Sequence, residues 1–339
     1  MRTSDFDYLL PPDRIAQRPA SPRDHSRMLV LQRPTGQIEH RNFRELPEFL
    51  RSGDALVINE TRVIPGRLKA HKLPGGGKVE LLLLREVDPT TWEALVGGKG
   101  LSPGRSVRIQ DGPSATILQD LGGPRRLVEF SEPISPLLDQ IGEMPLPPYI
   151  KTPLRNHEEY QTTFARQPGS AAAPTAGLHF TDEILAQVKA RGVEILRITL
   201  HVGLDTFAPV TEQDPQTHPI HTEWCSLDPH VAQSINQIKQ RGGRIFAVGT
   251  TCVRTLETAA SASPSDQIVA FEGPTALFII PGFQFQLVDA MLTNFHLPRS
   301  TLLMLVSAFS GREQILHAYA QAIEHGYRFY SFGDAMLIV

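Results

Sequence analysis

The chain has 339 residues, 41% of them apolar and 20% charged, a composition that excludes disorder as the main state and a length that suggests two domains or one domain with a large insertion. A net charge of −3 gives no reason by itself to expect a nucleic-acid partner, and two cysteines, Cys225 and Cys252, exclude a disulfide framework. The stretch Met1 to Asp7 carries acids where a signal peptide needs a basic start, and the longest apolar run, Leu302 to Phe309, is far shorter than the roughly 20 residues that cross a bilayer. A cytoplasmic chain with no membrane partner is the expectation.

The charge is unevenly spread. Residues 1–72 hold thirteen Lys and Arg against nine Asp and Glu, and eleven of those thirteen are Arg, which allows a local phosphate-contacting surface. Arg also exceeds Lys 26 to 7 over the whole chain, so codon bias accounts for part of this.

Ala55–Ile58 is a continuous apolar run of the kind found in a strand buried on both faces. From Gly66 to Phe130 short apolar and alternating runs follow at Arg67–Ala70, Val79–Leu84, Trp92–Val96, Ser106–Ile109, Ala115–Leu118 and Arg126–Phe130, separated by Gly and Pro turns. This pattern predicts a small barrel or sandwich. The proline-rich stretch Met144 to Pro153 can neither continue a helix nor pair as a central strand, so an extended crossing between domains is expected there.

Strands then alternate with helices. A helix from Asp182 to Arg191, capped by Thr181 and closed by Gly192, precedes a strand from Glu194 to His201. A second helix starts with Asp228 at the N-cap and Pro229 at the first position, and it ends at Gly242-Gly243 before the strand Arg244–Val248. A third, Cys252–Ala260, precedes an expected strand Ala276–Ile280, and helices Thr301–Phe309 and Glu313–His325 follow. The fold class is α/β: a discontinuous α/β domain, residues 1–66 and 152–339, with an inserted small all-β barrel domain, residues 67–151.

Several loops carry residues suited to chemistry. Gly249-Thr250-Thr251 turns a buried strand into a helix, offering free N–H groups and hydroxyls to a carboxylate or phosphate, although a capped tight turn reads the same way. Thr175-Ala176-Gly177 and His179 sit among small residues before a helix start, where backbone can approach a ligand. His201 and Gly203 lie at the C-terminal end of a strand, and Asn294, His296 and Arg299 gather before a helix start. His218, His221, Cys225 and the distant Cys252 suggest a zinc hydrolase only superficially, because Pro219 breaks the helix that would aim the ligands together. Asn59-Glu60-Thr61-Arg62 and Asp24-His25-Ser26-Arg27, taken alone, read as solvated turns.

Together these segments resemble the S-adenosylmethionine:tRNA ribosyltransferase-isomerase family of queuosine biosynthesis. The resemblance runs from Asp5-Phe6-Asp7-Tyr8 through Asn59 to Pro65 and Met144 to Ile150, and it is strongest in Ala173 to Phe180, Thr199 to Gly203, Ala247 to Thr251, Thr293 to Pro298 and Gly333 to Met336. Only about 70–140 matches by pattern rather than by motif. The chain departs from the family pattern at Glu60, Asp205 and Thr222-Glu223-Trp224, and Asp205 adds a carboxylate beside a suspected site.

The resemblance implies a transferase that uses S-adenosylmethionine as a ribosyl donor and co-substrate, with no cofactor and no metal. The acceptor is 7-aminomethyl-7-deazaguanine (preQ1) at the wobble position of a tRNA, and the products are epoxyqueuosine-tRNA, adenine and methionine. Its sites fall on His179, His201, His221, Glu223 and His296 for catalysis, without individual roles. Thr175, Gly177, Gly203, Gly249, Thr250, Thr251, Arg254, Asn294 and Arg299 fall to the substrate. Arg14, Arg18, Arg23, Arg27, Arg62 and Arg67 are expected against tRNA. A monomer without an obligate protein partner is the default, and the alternative is a tRNA- or adenosyl-binding protein without turnover.

Overall fold

The computed structural model describes residues 1–203, 209–264 and 267–339. Its strands are β1 (Arg27–Gln32), β2 (Gln37–Asn42), β3 (Ala55–Asn59), β4 (Thr61–Val63), β5 (Arg67–Leu73), β6 (Lys78–Glu86), β7 (Thr91–Gly97), β8 (Ser106–Ile109), β9 (Ser114–Gly122), β10 (Arg125–Phe130) and β11 (Gln167–Ser170). After these come β12 (Glu194–Leu200), β13 (Glu223–Leu227), β14 (Ile245–Val248), β15 (Phe271–Thr275), β16 (Ala290–Asn294) and β17 (Ala335–Ile338). The helices are α1 (Leu138–Ile141), α2 (Asp182–Ala190), α3 (Pro229–Gln240), α4 (Thr250–Ala262), α5 (Thr301–Ser310) and α6 (Arg312–Glu324).

The chain divides into two compact units, one of Met1–Thr61, Pro148–Arg166 and Pro174–Val339, the other of Arg62–Pro147 and Gln167–Ala173. The division falls inside the proline-rich stretch at Pro147 and Pro148. It differs from 67–151 in starting at Arg62, stopping at Pro147 and adding Gln167–Ala173, whose strand β11 pairs with β4.

The smaller unit contains a closed barrel, β10-β7-β6-β5-β8-β9, antiparallel at each join. Alternate residues point inward, so Leu68, Leu81, Leu83, Val107, Ile117 and Val128 are buried in its core. Closure leaves no unpaired edge. β9 outruns its expected length, with residues 118–122 exposed beyond the core-facing part.

The larger unit is built on a mixed sheet of nine described strands, ordered β15-β13-β12-β3-β14-β16-β17-β1-β2. β3 is parallel to both β12 and β14 and buried at every residue, which explains its unbroken apolar run. α2 and Phe43, Phe164 and Phe180 cover Leu56 and Ile58 of β3 on one face, while α4 packs against β12 to β16 on the other. The Thr181 hydroxyl accepts from Ile184 N and caps α2. Asp228 stands at the N-cap of α3, but its side chain makes no capping hydrogen bond.

Two expectations need correcting. α4 begins at Thr250, two residues before the expected Cys252, with Gly249 as N-cap at φ +86°. The strand expected at Ala276–Ile280 is instead Phe271–Thr275, paired with β13. Pro274 is tolerated because β15 is an edge strand. The apolar run after it turns away, its Leu277 carbonyl accepting from the Arg254 side chain rather than from a neighbouring strand.

Beyond the last β3–β12 pair, the Asn59 side chain continues the ladder. Its amide donates to Leu200 O at 2.9 Å and accepts from Leu200 N and Thr61 N, both at 3.1 Å. Asn59→Ala leaves these buried backbone groups unpaired, so we expect a loss of about 3 kcal/mol, seen as a lower urea midpoint with an unchanged slope. An unchanged midpoint contradicts the clamp.

Candidate active site

The parallel strands β3, β12, β14 and β16 end together at Asn59, Leu200, Val248 and Asn294, and the antiparallel β13 and β17 begin at this same edge. β1, parallel to β17, begins there too, which brings Ser26 to it. The C-terminal edge of parallel strands is where open α/β sheets bind ligands.

On the α4 side, Arg254 is buried and all five of its N–H donors are committed within the protein. Nε donates to Leu277 O, Nη1 to Glu223 Oε2 and to His221 Nε2, and Nη2 to His221 O and Thr275 O. Arg254 therefore has no donor left for a ligand, and its geometry is that of a residue that positions others. Burial works to raise the Glu223 carboxyl, but the Arg254 charge, His221 and the Gly203 N–H outweigh it and hold the group below the usual range. The Gly203 N–H donates to Glu223 Oε1 at 3.0 Å, and a side chain at Gly203 would meet nothing within 4 Å.

A second cluster centres on His179. Thr175 Oγ1 donates to Asn294 Oδ1 at 3.0 Å, which turns the Asn294 amide nitrogen toward His179 Nε2 at 3.2 Å. With Nε2 accepting, the neutral ring carries its proton on Nδ1, which meets Ser26 Oγ at 2.7 Å. The ring also stacks on Phe43 at 5.1 Å. Burial, with the nearby charges of Arg328 and Arg23, lowers His179 to about 3, so it is uncharged at neutral pH with both nitrogens engaged. Ser26, Asn59 and Thr61 are thus not solvated turn residues, each being at most 2% exposed.

His296 is likewise pushed down to about 3 by burial, with Nε2 at 2.8 Å from Thr293 Oγ1. Its carbonyl accepts from the Tyr8 hydroxyl, and its N–H donates to Tyr319 Oη at 2.9 Å. His201 is half-buried, with Nδ1 at 2.8 Å from Thr61 Oγ1 and its ring stacked on Trp224 at 5.4 Å and 18°. Burial lowers its pKa as well. Neighbours along a strand point to opposite faces, so Trp224 with His201 lies across the sheet from Glu223. The five catalytic candidates share one edge but not one constellation.

The remaining candidates divide. Gly249 is held at φ +86°, a conformation open to glycine, and at the start of α4 the Thr251 hydroxyl is buried without an oxygen or nitrogen partner among the described residues. Gly177 has a packing role, since a Cβ there would lie 2.7 Å from Phe164 and 2.8 Å from Thr162. Arg299, at φ +53°, is fixed by backbone bonds to Phe6 and Val210, and its side chain lies 3.6 Å from Asp7. Asp205 lies outside the described residues.

Most of the amino-terminal arginines have partners inside their own unit. Arg18 pairs with Glu159, Arg23 donates to the Glu158 and Gln161 carbonyls, Arg27 covers the Tyr327 ring at 3.9 Å, and Arg14 lies against Gly326. In the smaller unit Arg67 pairs with Glu80 on a barrel strand, and Arg62 is half-buried in β4. Of the metal-like set, His218 pairs with Glu212 at 2.7 Å, while His221 Nε2 faces the Arg254 cation rather than open space. Among the described residues no group of three or more His, Cys, Asp or Glu is placed to hold a metal ion.

The model of the family described as Queuosine biosynthesis protein matches residues 3–338. The chain belongs to this family of queuosine biosynthesis proteins. Two curated relatives, each named S-adenosylmethionine:tRNA ribosyltransferase-isomerase, are 53% identical over 345 residues (Symbiobacterium thermophilum) and 51% identical over 343 residues (Desulfitobacterium hafniense). Each match covers the whole of both chains. The crystal structure of S-adenosylmethionine tRNA ribosyltransferase from Thermotoga maritima is 39% identical, with a TM-score of 0.58, covering 99% of this chain and 100% of that one.

Within this queuosine biosynthesis chain the sign of the Glu223 effect is testable. A carboxyl whose folded pKa lies below its ordinary 4.5 binds protons less readily folded than unfolded, so its contribution is complete above about pH 4.5 and is lost as pH falls through the folded value. Glu223→Gln should cost about 3 kcal/mol at pH 7, by stranding the Arg254 charge, and the gap from wild type should narrow in urea melts below pH 4.5. A gap independent of pH means that Glu223 is not ionised.

Proposed function

We propose that this enzyme, a member of the S-adenosylmethionine:tRNA ribosyltransferase-isomerases, transfers the ribosyl group of S-adenosylmethionine to the aminomethyl group of preQ1 at the tRNA wobble position and isomerises it. The products are epoxyqueuosine-tRNA, adenine and methionine. The observation that carries this reading is the convergence of Ser26, Thr61, His179, His201, Gly249 and Asn294, distant in sequence, on one edge of the sheet. S-adenosylmethionine acts as co-substrate and no other cofactor takes part. The enzyme works as a monomer in the cytoplasm without an obligate protein partner.

A sulfonium acidifies the neighbouring C5′ protons, so a base of moderate pKa starts the reaction, and adenine leaves once a ring nitrogen is protonated. His179 and His296, lowered to about 3, are poor proton carriers near neutral pH. We assign proton transfer to His201, leave His221 with Glu223 in holding Arg254, and give His179, with Asn294 and Thr175, the task of shaping the pocket. The methionine carboxylate belongs at the start of α4, where the N–H groups of Thr250 and Thr251 and the buried Thr251 hydroxyl await an acceptor. The wobble base is splayed from its loop and read at its edges.

The test is incubation with S-adenosylmethionine and tRNA carrying preQ1, followed by mass spectrometry for epoxyqueuosine and free adenine. Formation of both is expected, and absence of both from folded, tRNA-binding protein supports a binding role without turnover. His201→Ala should lower adenine release at least about 100-fold with an unchanged melting temperature, and near-normal release removes His201 from the mechanism.

A further inference from the structure

A cleft of about 370 Å³ is lined by α2, the segment 163–166 and Arg197 in the larger unit. Its charged lining is Arg166, Lys189 and Arg197 against Asp182. Arg197 is half-buried, paired with Glu60 at 3.3 Å and donating to Phe164 O. Arg166 and Lys189 are exposed, and among the described residues neither side chain has an ion pair or hydrogen bond, unlike Arg18 and Arg23. Two cations without a side-chain partner among the described residues therefore line the cleft together with a third, half-buried one that Glu60 and the Phe164 carbonyl hold.

The cleft shares a sheet face with an aromatic surface. Arg197, Thr199 and His201 alternate onto one side of β12, so the His201–Trp224 stack lies four residues along the strand from Arg197, about 13 Å at 3.3 Å per residue. Cations that track a phosphate backbone, set beside aromatic rings that solvent can reach, are the means by which proteins hold unpaired nucleic-acid strands, and His201 and Trp224 are half-buried.

We propose that this cleft is a subsite for backbone phosphates of the substrate RNA next to the nucleotide being modified, with Arg166 and Lys189 as its contacting residues and Arg197 as its fixed floor. This rests on the tRNA reading above. The Asp182 carboxylate, in the first turn of α2, repels phosphate from that end of the helix and leaves Lys189, seven residues further along it, and Arg166 to make the contacts.

The experiment compares wild type, Arg166→Ala/Lys189→Ala and a control, Arg44→Ala/Arg241→Ala, which removes two exposed charges elsewhere. Affinity for preQ1-tRNA is measured across a salt series, with KM for tRNA and for S-adenosylmethionine at one salt concentration. At about 0.7 per single-strand phosphate, the cleft variant should have a salt slope shallower by about 1.4 and a KM for tRNA raised severalfold, with KM for S-adenosylmethionine unmoved. Arg166→Lys should keep most of the affinity, since charge rather than shape is used. A cleft variant indistinguishable from the control overturns the subsite, as does a change confined to KM for S-adenosylmethionine. If wild type neither binds nor modifies this tRNA, the tRNA reading itself falls and the subsite with it.

Discussion

The buried guanidinium of Arg254 is the constraint on which the site depends. Removing a charge from water is costly, and the cost is offset here by an ionised Glu223 and by acceptors for every N–H. Those acceptors come from the start of β13, the end of β15 and the chain after it, so one side chain of α4 ties together the sheet's outermost strands where they reach the active edge. The other Glu223 oxygen passes the constraint on to the backbone at Gly203, beside His201. One turn further along α4, Glu257 does the same at longer range, accepting from the N–H groups of Gln286, Leu287 and Val288. Burial raises the Glu257 carboxyl despite these three bonds, so here desolvation is the stronger effect.

Around that frame the histidines fall into two kinds. His179 and His296 are buried and neutral, His179 with both ring nitrogens bonded and His296 with Nε2 on Thr293; His296 is wired through its backbone to Tyr8 and Tyr319, which pack with Phe295 and Phe329. Such groups define a pocket's shape and polarity. His201 is half-buried between a hydroxyl and an indole, and burial lowers its pKa. A sulfonium substrate is cationic, and a site with neutral imidazoles and a carboxylate already neutralised by Arg254 neither repels it nor traps it by charge.

Much of this architecture is legible in the residues. The unbroken apolar run of β3, the Thr181 cap and the alternating runs of the barrel report local physics, and each takes its expected form. The errors arise where distant partners override local preference: the apolar run at 276–280 is drawn out of the sheet by Arg254, and Gly177 serves a close contact with Phe164 that periodicity cannot reveal. Among the candidate site residues, a strand-end position singles out His201 and a loop before a helix start singles out Asn294. Ser26 and Thr61 looked like ordinary turn residues, because the hydrogen bonds that give them meaning cross 153 and 140 residues of chain. Arg254 looked like a ligand-binding cation for the same reason, its five acceptors being invisible in sequence.

The proposed reaction at this sheet edge takes the ribosyl group, and not the methyl group, from S-adenosylmethionine. Two parallel incubations with preQ1-tRNA test it most directly, one with the donor labelled in its ribose carbons and one with the label in its methyl carbon. Ribose label is expected in the tRNA, with methyl label recovered only in free methionine. Methyl label in the tRNA, with adenine still joined to its ribose, contradicts it.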